Sequence, residues 1–240
     1  MPDVMRSAKR FVRGHTTLIG SVLSVKTDAP QIVLTYDDGP EPGSTEKVLQ
    51  ALADRGASAT FFILVGRARR QPGLLADVVA AGHEIALHGE DHRRLTDFTP
   101  AEVFRRTTDA KAELEDLTAT EVRWMRPPYG RQRFGTWRAI RRSGVEPVLW
   151  GPTTWDSRHI TQEQRAQRSL QGAVPGAILL AHDGHAGPTD GVDDGPAPDL
   201  DRGELTRLVL DAYAERGLSG CSLRDALAVG SLIRGAWFSR

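Results

Sequence analysis

Apolar and polar positions along this chain follow two periods. Residues 32–36, 59–65, 84–87, 122–125, 145–150 and 177–181 are short apolar, β-branched runs and read as buried strands. Between them the spacing becomes helical. Residues 44–55 carry the stripe Val48, Leu49 and Leu52, with Gly56 where a C-terminal cap belongs. Residues 72–81 turn Leu74, Leu75, Val78 and Val79 inward before Gly82. Thr99-Pro-Ala-Glu102 is a capping box with Pro at the first helical position, and the helix it opens reaches Leu117. Further helices are expected over 134–142, 161–171 and 204–216, the last with Leu205, Leu208, Val209 and Tyr213 on one side. Residues 218–222 read as a last short strand before a final helix.

This alternation argues for an α/β fold with a parallel sheet and helical crossovers. Six or seven strands fit an open doubly wound sheet or a slightly small barrel. With no internal repeat and no clean linker, residues 28–240 read as one domain behind a flexible basic leader, residues 1–27. That leader carries Arg6, Lys9, Arg10 and Arg13. Its apolar run, residues 18–25, is broken by Gly20, Ser21 and Ser24 and is too short to span a bilayer. It also lacks a convincing cleavage site, so a cytoplasmic location is expected.

Charge changes the picture by exclusion. The 31 basic and 31 acidic residues cancel, so no global field favours nucleic acid or an anionic membrane. Cys221, the single cysteine, rules out an intramolecular disulfide and suits a small apolar site.

The reactive side chains sit just after strand ends: Asp37 and Asp38, His88, Arg126, His182 and Asp183. In barrels and open α/β sheets the carboxyl ends of strands carry the active site. Neighbouring residues of an extended chain face opposite ways, so one aspartate can bind a cation while the other addresses substrate. His88 and His92, four apart, share a face if they lie on a helical turn. With Asp38 they make a two-His, one-carboxylate set. That set suits catalytic zinc and also non-haem iron. The neighbours distinguish the two. Asp37 can act as base, Arg126 can keep it ionised, and His182 can protonate a leaving group. These are the parts of metal-assisted hydrolysis, and an oxygenase needs no such pair. Singly, each residue also fits a turn, a strand-end ion pair or a satisfied core histidine.

Thr35-Tyr-Asp-Asp-Gly-Pro40 closely resembles the TFDDGP motif of the NodB-like polysaccharide deacetylases, carbohydrate esterase family 4. His88-Gly-Glu-Asp-His92, Arg126-Pro-Pro-Tyr-Gly130 and Leu180-Ala-His182 resemble the second, third and fifth motifs of that family, in order. The resemblance implies a distorted (β/α)7 barrel of the NodB-homology type and removal of an N-acetyl group from an amino sugar. It implies Asp37 as base, His182 as acid and Arg126 as the residue orienting the base. It implies a metal on Asp38, His88 and His92, with Zn²⁺ expected and Co²⁺ or Ni²⁺ able to take the same place. Pro128, Tyr129, Trp155 and Leu180 would bind substrate, Tyr129 through its backbone N–H.

Three departures stand out. The fourth motif, D-x-x-D-W, reads Gly151-Pro-Thr-Thr-Trp155, so Thr154 replaces the carboxylate that tethers the acid. Asp156 or Asp183 then substitutes, or the acid is weakened and the basic limb of the pH profile is lower. Gly89 stands where Ser or Thr is usual. Residues 1–27 do not read as a clear export signal, whereas the family commonly acts outside the cytoplasm. These departures leave open a non-sugar C–N bond, in a cyclic imide, ureide or natural-product amide, as the substrate. The altered fourth motif alone also leaves open a catalytically silent glycan-binding module. The acidic stretch 184–203 is long for a post-strand loop and is expected at a mobile rim of the site.

Overall fold

The computed structural model describes residues 19–239. The strands are β1 (Ser21–Lys26), β2 (Gln31–Asp37), β3 (Thr60–Leu64), β4 (Glu84–Gly89), β5 (Trp124–Met125), β6 (Glu146–Pro147), β7 (Ile178–His182), β8 (Ser219–Cys221) and β9 (Ser231–Gly235). The helices are α1 (Thr45–Asp54), α2 (Val65–Arg70), α3 (Pro72–Ala80), α4 (Pro100–Thr118), α5 (Phe134–Arg142), α6 (Gln162–Ser169), α7 (Arg202–Ala214) and α8 (Leu223–Ala228).

Seven strands form one parallel sheet in the order β6-β5-β4-β3-β2-β7, with β8 also paired to β2. The sheet curls into a distorted (β/α)7 barrel. Its seam runs between β6 and β7, where an isolated bridge, Thr153 to Leu180, stands in for a ladder. β1 covers the same seam: Leu149 N–H donates to the Val22 carbonyl at 2.8 Å and Val25 N–H to the Gly176 carbonyl at 2.8 Å.

Alternation along each strand divides the core in two. On β2, Ile32, Leu34 and Tyr36 face the helices, in a cluster with Val48, Leu52, Phe61 and Val209. Val33 faces the barrel interior with Phe62, Ala86, Trp124, Val148 and Ile178. Two further steps from Val33 lead to Thr35 and Asp37, so the same alternation carries an aspartate to the inner rim. The Thr99 capping box forms as the sequence requires, with both reciprocal bonds present.

Three expectations need correction. Residues 21–26 belong to no leader: they are β1, paired antiparallel with β9, and only residues 1–18 of the expected leader lie outside the described residues. Neither partner of this ribbon carries a long apolar run, since each strand buries only alternate or scattered positions. A short helix, α2, follows β3 directly where no helix was expected. The strand expected over 145–150 ladders only at Glu146–Pro147. No helix among the described residues is long and apolar enough to cross a membrane.

Candidate active site

Asp37, Asp38, His88, His92, Tyr129, Leu180 and His182 line one cavity of about 330 Å³ at the carboxyl ends of the strands. Trp150, Ser157, Asp194 and Arg202 line it too. Pro128 and Trp155 are not among its walls. The Trp155 ring is taken up by Arg158 at 4.1 Å and Arg168 at 3.4 Å, and the aromatic wall is supplied by Trp150 instead.

Asp37 ends β2. Its Oδ1 accepts from Arg126 Nη1 at 2.6 Å, in an ion pair that is all but sealed from solvent. The same Nη1 donates to Thr35 Oγ1 at 2.8 Å, and the guanidinium lies 4.1 Å from the Phe62 ring centre. Thr35 Oγ1 is positioned in turn by donating to the Leu179 carbonyl. Burial pushes the Arg126 pKa down, and Asp37 opposes that shift. A guanidinium remains charged regardless.

Asp38 is not simply the opposite face of the strand. Its φ of 76° is left-handed, and this turn, rather than strand alternation, sends its carboxylate to the two imidazoles. Asp38 Oδ1 lies 3.3 Å from His88 Nε2 and 3.3 Å from His92 Nε2. The expected helical turn carrying both histidines is absent. His88 lies on β4 and His92 in the bend after it, and Gly89 between them has φ 136°. A side chain at 89 would strain that backbone and put its Cβ 3.0 Å from the Asp91 carbonyl, which accounts for glycine where a hydroxyl residue is usual.

The three side chains can hold a metal. Asp38 Oδ1 and His88 Nε2 are buried with no hydrogen-bond partner. Metal–ligand bonds of about 2.0–2.2 Å in a tetrahedral site place ligand atoms roughly 3.3–3.6 Å apart, close to the spacing found here. His88 Nδ1 is 2.8 Å from the Arg126 carbonyl, which can only accept, so Nδ1 carries the proton and Nε2 presents its lone pair. Burial lowers the His92 pKa and favours the neutral imidazole a metal requires. Burial acts against the Asp38 carboxylate, but His88 and His92 outweigh it and hold the group below its usual range.

His182 ends β7 on the inner face. Its Nδ1 lies 2.7 Å from Asp156 Oδ1, and its backbone N–H donates to Asp156 Oδ2 at 2.7 Å. Arg202 backs the pair, donating to the His182 carbonyl at 2.9 Å. Burial alone would lower the His182 pKa, but Asp156, and behind it Asp38 and Asp37, raise it to about 9. The expectation of a weakened acid is therefore overturned. The tether has moved from before the tryptophan to after it, because Trp155 has a left-handed φ of 53° that redirects the next residue. Asp183, the other candidate, does different work. It accepts from Gly39 N–H at 3.1 Å and Thr45 Oγ1 at 2.6 Å, bracing the Asp37–Asp38 turn.

The 184–203 loop is tied down on the site. Arg67 donates to both oxygens of buried Asp190, to Glu41 and to the His185 carbonyl. The Asp190 carbonyl accepts the His92 N–H at 2.9 Å. Arg67, Asp190 and Asp194 carried no sequence signal of a role, since a charged loop reads the same whether solvated or pinned.

Known proteins resemble this chain in sequence and fold. A family profile described as polysaccharide deacetylase matches residues 24–148. Peptidoglycan-N-acetylglucosamine deacetylase of Listeria monocytogenes is 30% identical over 185 residues, covering 77% of this chain; the chain spans only 39% of that protein's length. Chitooligosaccharide deacetylase of Azorhizobium caulinodans is 32% identical over 171 residues, covering 70% of this chain and 80% of that one. A solved CE4-family pseudoenzyme from Bacillus anthracis superimposes with a TM-score of 0.74 at 19% identity, over 85% of this chain and 68% of that one. The profile takes in over half of the chain and includes the Asp38, His88 and His92 cluster, and the chain belongs to the polysaccharide deacetylase family.

Proposed function

We propose that this chain is a metal-dependent amide hydrolase that removes the N-acetyl group from an amino sugar, with Zn²⁺ on Asp38, His88 and His92. One observation carries the reading: two proton-handling pairs, Asp37–Arg126 and His182–Asp156, flank one buried Asp–His–His cluster in a single cavity. When bound, the metal would polarise the amide carbonyl and make a water more acidic. Arg126 occupies Oδ1 of Asp37, and Oδ2, 3.9 Å from His88 Nε2, is left to take the proton of the attacking water. The Asp156 carboxylate fixes Nδ1 of His182 as the protonated nitrogen, so Nε2 delivers the second proton to the departing amine. Leu180 and Trp150 supply apolar wall for an acetyl methyl, and the Tyr129 main chain joins the polar side.

The names of the Listeria and Azorhizobium relatives support an N-acetylglucosamine unit as the substrate. The Asp156 tether removes the one feature that favoured a silent binding module. The zinc-loaded protein should release acetate from N-acetylglucosamine oligomers or amino-sugar conjugates. Ammonia from cyclic imides, without acetate from any sugar, would replace this reading with the non-sugar one. Binding without turnover would leave only a glycan-holding role.

A further inference from the structure

The geometry points to Asp194 as a positioning residue for the metal ligand His92, acting from the 184–203 loop and coupled to Tyr129. Two imidazoles face the cluster, and their far nitrogens are treated differently. His88 Nδ1 has the Arg126 carbonyl at 2.8 Å. His92 Nδ1 is buried with no hydrogen-bond partner, and the side chain is only 8% exposed. The group it faces is Asp194 Oδ2, at 3.5 Å. A metal-bound imidazole is normally held by a partner on its other nitrogen, which fixes the tautomer and strengthens the ligand. His92 lacks that partner until Asp194 closes the last few tenths of an ångström.

Asp194 is not placed there by chance of a loose loop. Its Oδ2 accepts from the Tyr129 hydroxyl at 2.7 Å, and the Tyr129 ring packs on the His92 ring with centroids 4.5 Å apart. Arg94 lies 5.0 Å over the other partner of that stack, the Tyr129 ring. Further back, the loop is held by Arg67 through Asp190, whose carbonyl takes the His92 N–H. One loop thus addresses both ends of His92, its backbone through Asp190 and its imidazole through Asp194. Proton control at Nδ1 would make His92 a better metal ligand, and the Tyr129 bridge would keep the carboxylate aimed.

This inference rests on the metal-site reading, and zinc affinity measured by chelator competition separates the two. Wild type should bind zinc. Asp194→Asn should bind it roughly 10–100-fold more weakly, the usual effect of removing such an outer partner. Asp194→Glu should recover part of the loss, and Tyr129→Phe should show a smaller one. Asp193→Asn, one position away and turned onto the Gly195 N–H, should stay within about twofold of wild type. Unfolding of the metal-free Asp194→Asn protein should match wild type, because the side chain is one-third exposed on a loop. A wild type that binds no zinc removes the metal reading and this role together. A wild type that binds zinc, with Asp194→Asn equal to it, overturns the role of Asp194 alone. A drop shared equally by Asp193→Asn also overturns it, since the loop rather than the carboxylate would then matter.

Discussion

Asp156 Oδ1 stands 2.7 Å from His182 Nδ1, and the pair sits where the sequence motif lacks its expected carboxylate. A tether displaced by two residues still reaches the same nitrogen. The kinetic consequence is direct. His182 must be protonated to act as acid, so activity should fall as pH rises through about 9. Asp156→Asn should move that basic limb down toward the ordinary histidine value and slow turnover at neutral pH. Replacing His182 by Ala should cost on the order of 10²–10⁴-fold. A pH–rate profile of wild type and Asp156→Asn checks both; an unmoved limb would show that Asp156 does not set the acid.

The same pair links stability to pH. The folded-state pKa of His182 is raised from 6.5 to about 9, so folding favours its protonated form. That contribution is fully present below about 6.5 and is lost as pH climbs through about 9. Thermal unfolding of chelator-treated protein should therefore show wild type more stable than Asp156→Asn at pH 6, with the gap narrowing by pH 10. A gap constant across that window would contradict the assignment.

Asp37 and Asp38 should separate by metal content. Asp37→Asn removes the proton acceptor but no proposed ligand, so the protein should keep its metal and lose roughly 10²–10⁴-fold in rate. Asp38→Asn should lower metal occupancy, since a neutral amide is a poorer ligand. Chelation should abolish wild-type activity and zinc restore it. Metal analysis beside turnover decides the point, and reversed metal contents would reverse the roles.

Arg126→Ala should hurt folding as well as rate. Removing one partner of a buried ion pair strands the other charge, at about 3–5 kcal/mol. The fully buried Arg126 and the 3% exposed Asp37 side chain meet that condition. Chemical denaturation should show the loss in Arg126→Ala relative to wild type. Arg126→Ala combined with Asp37→Asn should recover part of it, because the stranded carboxylate is gone.

The inner-face residues were legible because strand alternation is a property of sequence. Val33, Thr35 and Asp37 on β2, and Ile178, Leu180 and His182 on β7, keep one face by counting in twos. The long helices were equally plain from their stripes and caps. What escaped notice depends on backbone conformations that composition does not encode. Asp38, Tyr129 and Trp155 all adopt positive φ, each at a cost of roughly 1–3 kcal/mol that only the surrounding fold can sustain. They are the positions where Asp38 swings to the histidines, Tyr129 meets His92, and Trp155 leaves the cavity while delivering Asp156. The ribbon of β1 and β9 escaped for another reason. Two short strands with few buried positions give no period until each is seen beside the other.

That ribbon sets an order of events. Among the described residues β1 precedes every other strand, yet its ladder partner is residues 231–235, and its hold on the β6–β7 seam joins residues 22–25 to 149 and 176. Contacts of such sequence separation are slow to form, because a long loop must close first. The seam beside Trp150 is therefore expected to close late. A ribosome-bound chain halted before residue 231 would hold every proposed metal ligand and both proton-handling pairs. It would still lack β9, the ladder partner of the strand that covers the seam beside them.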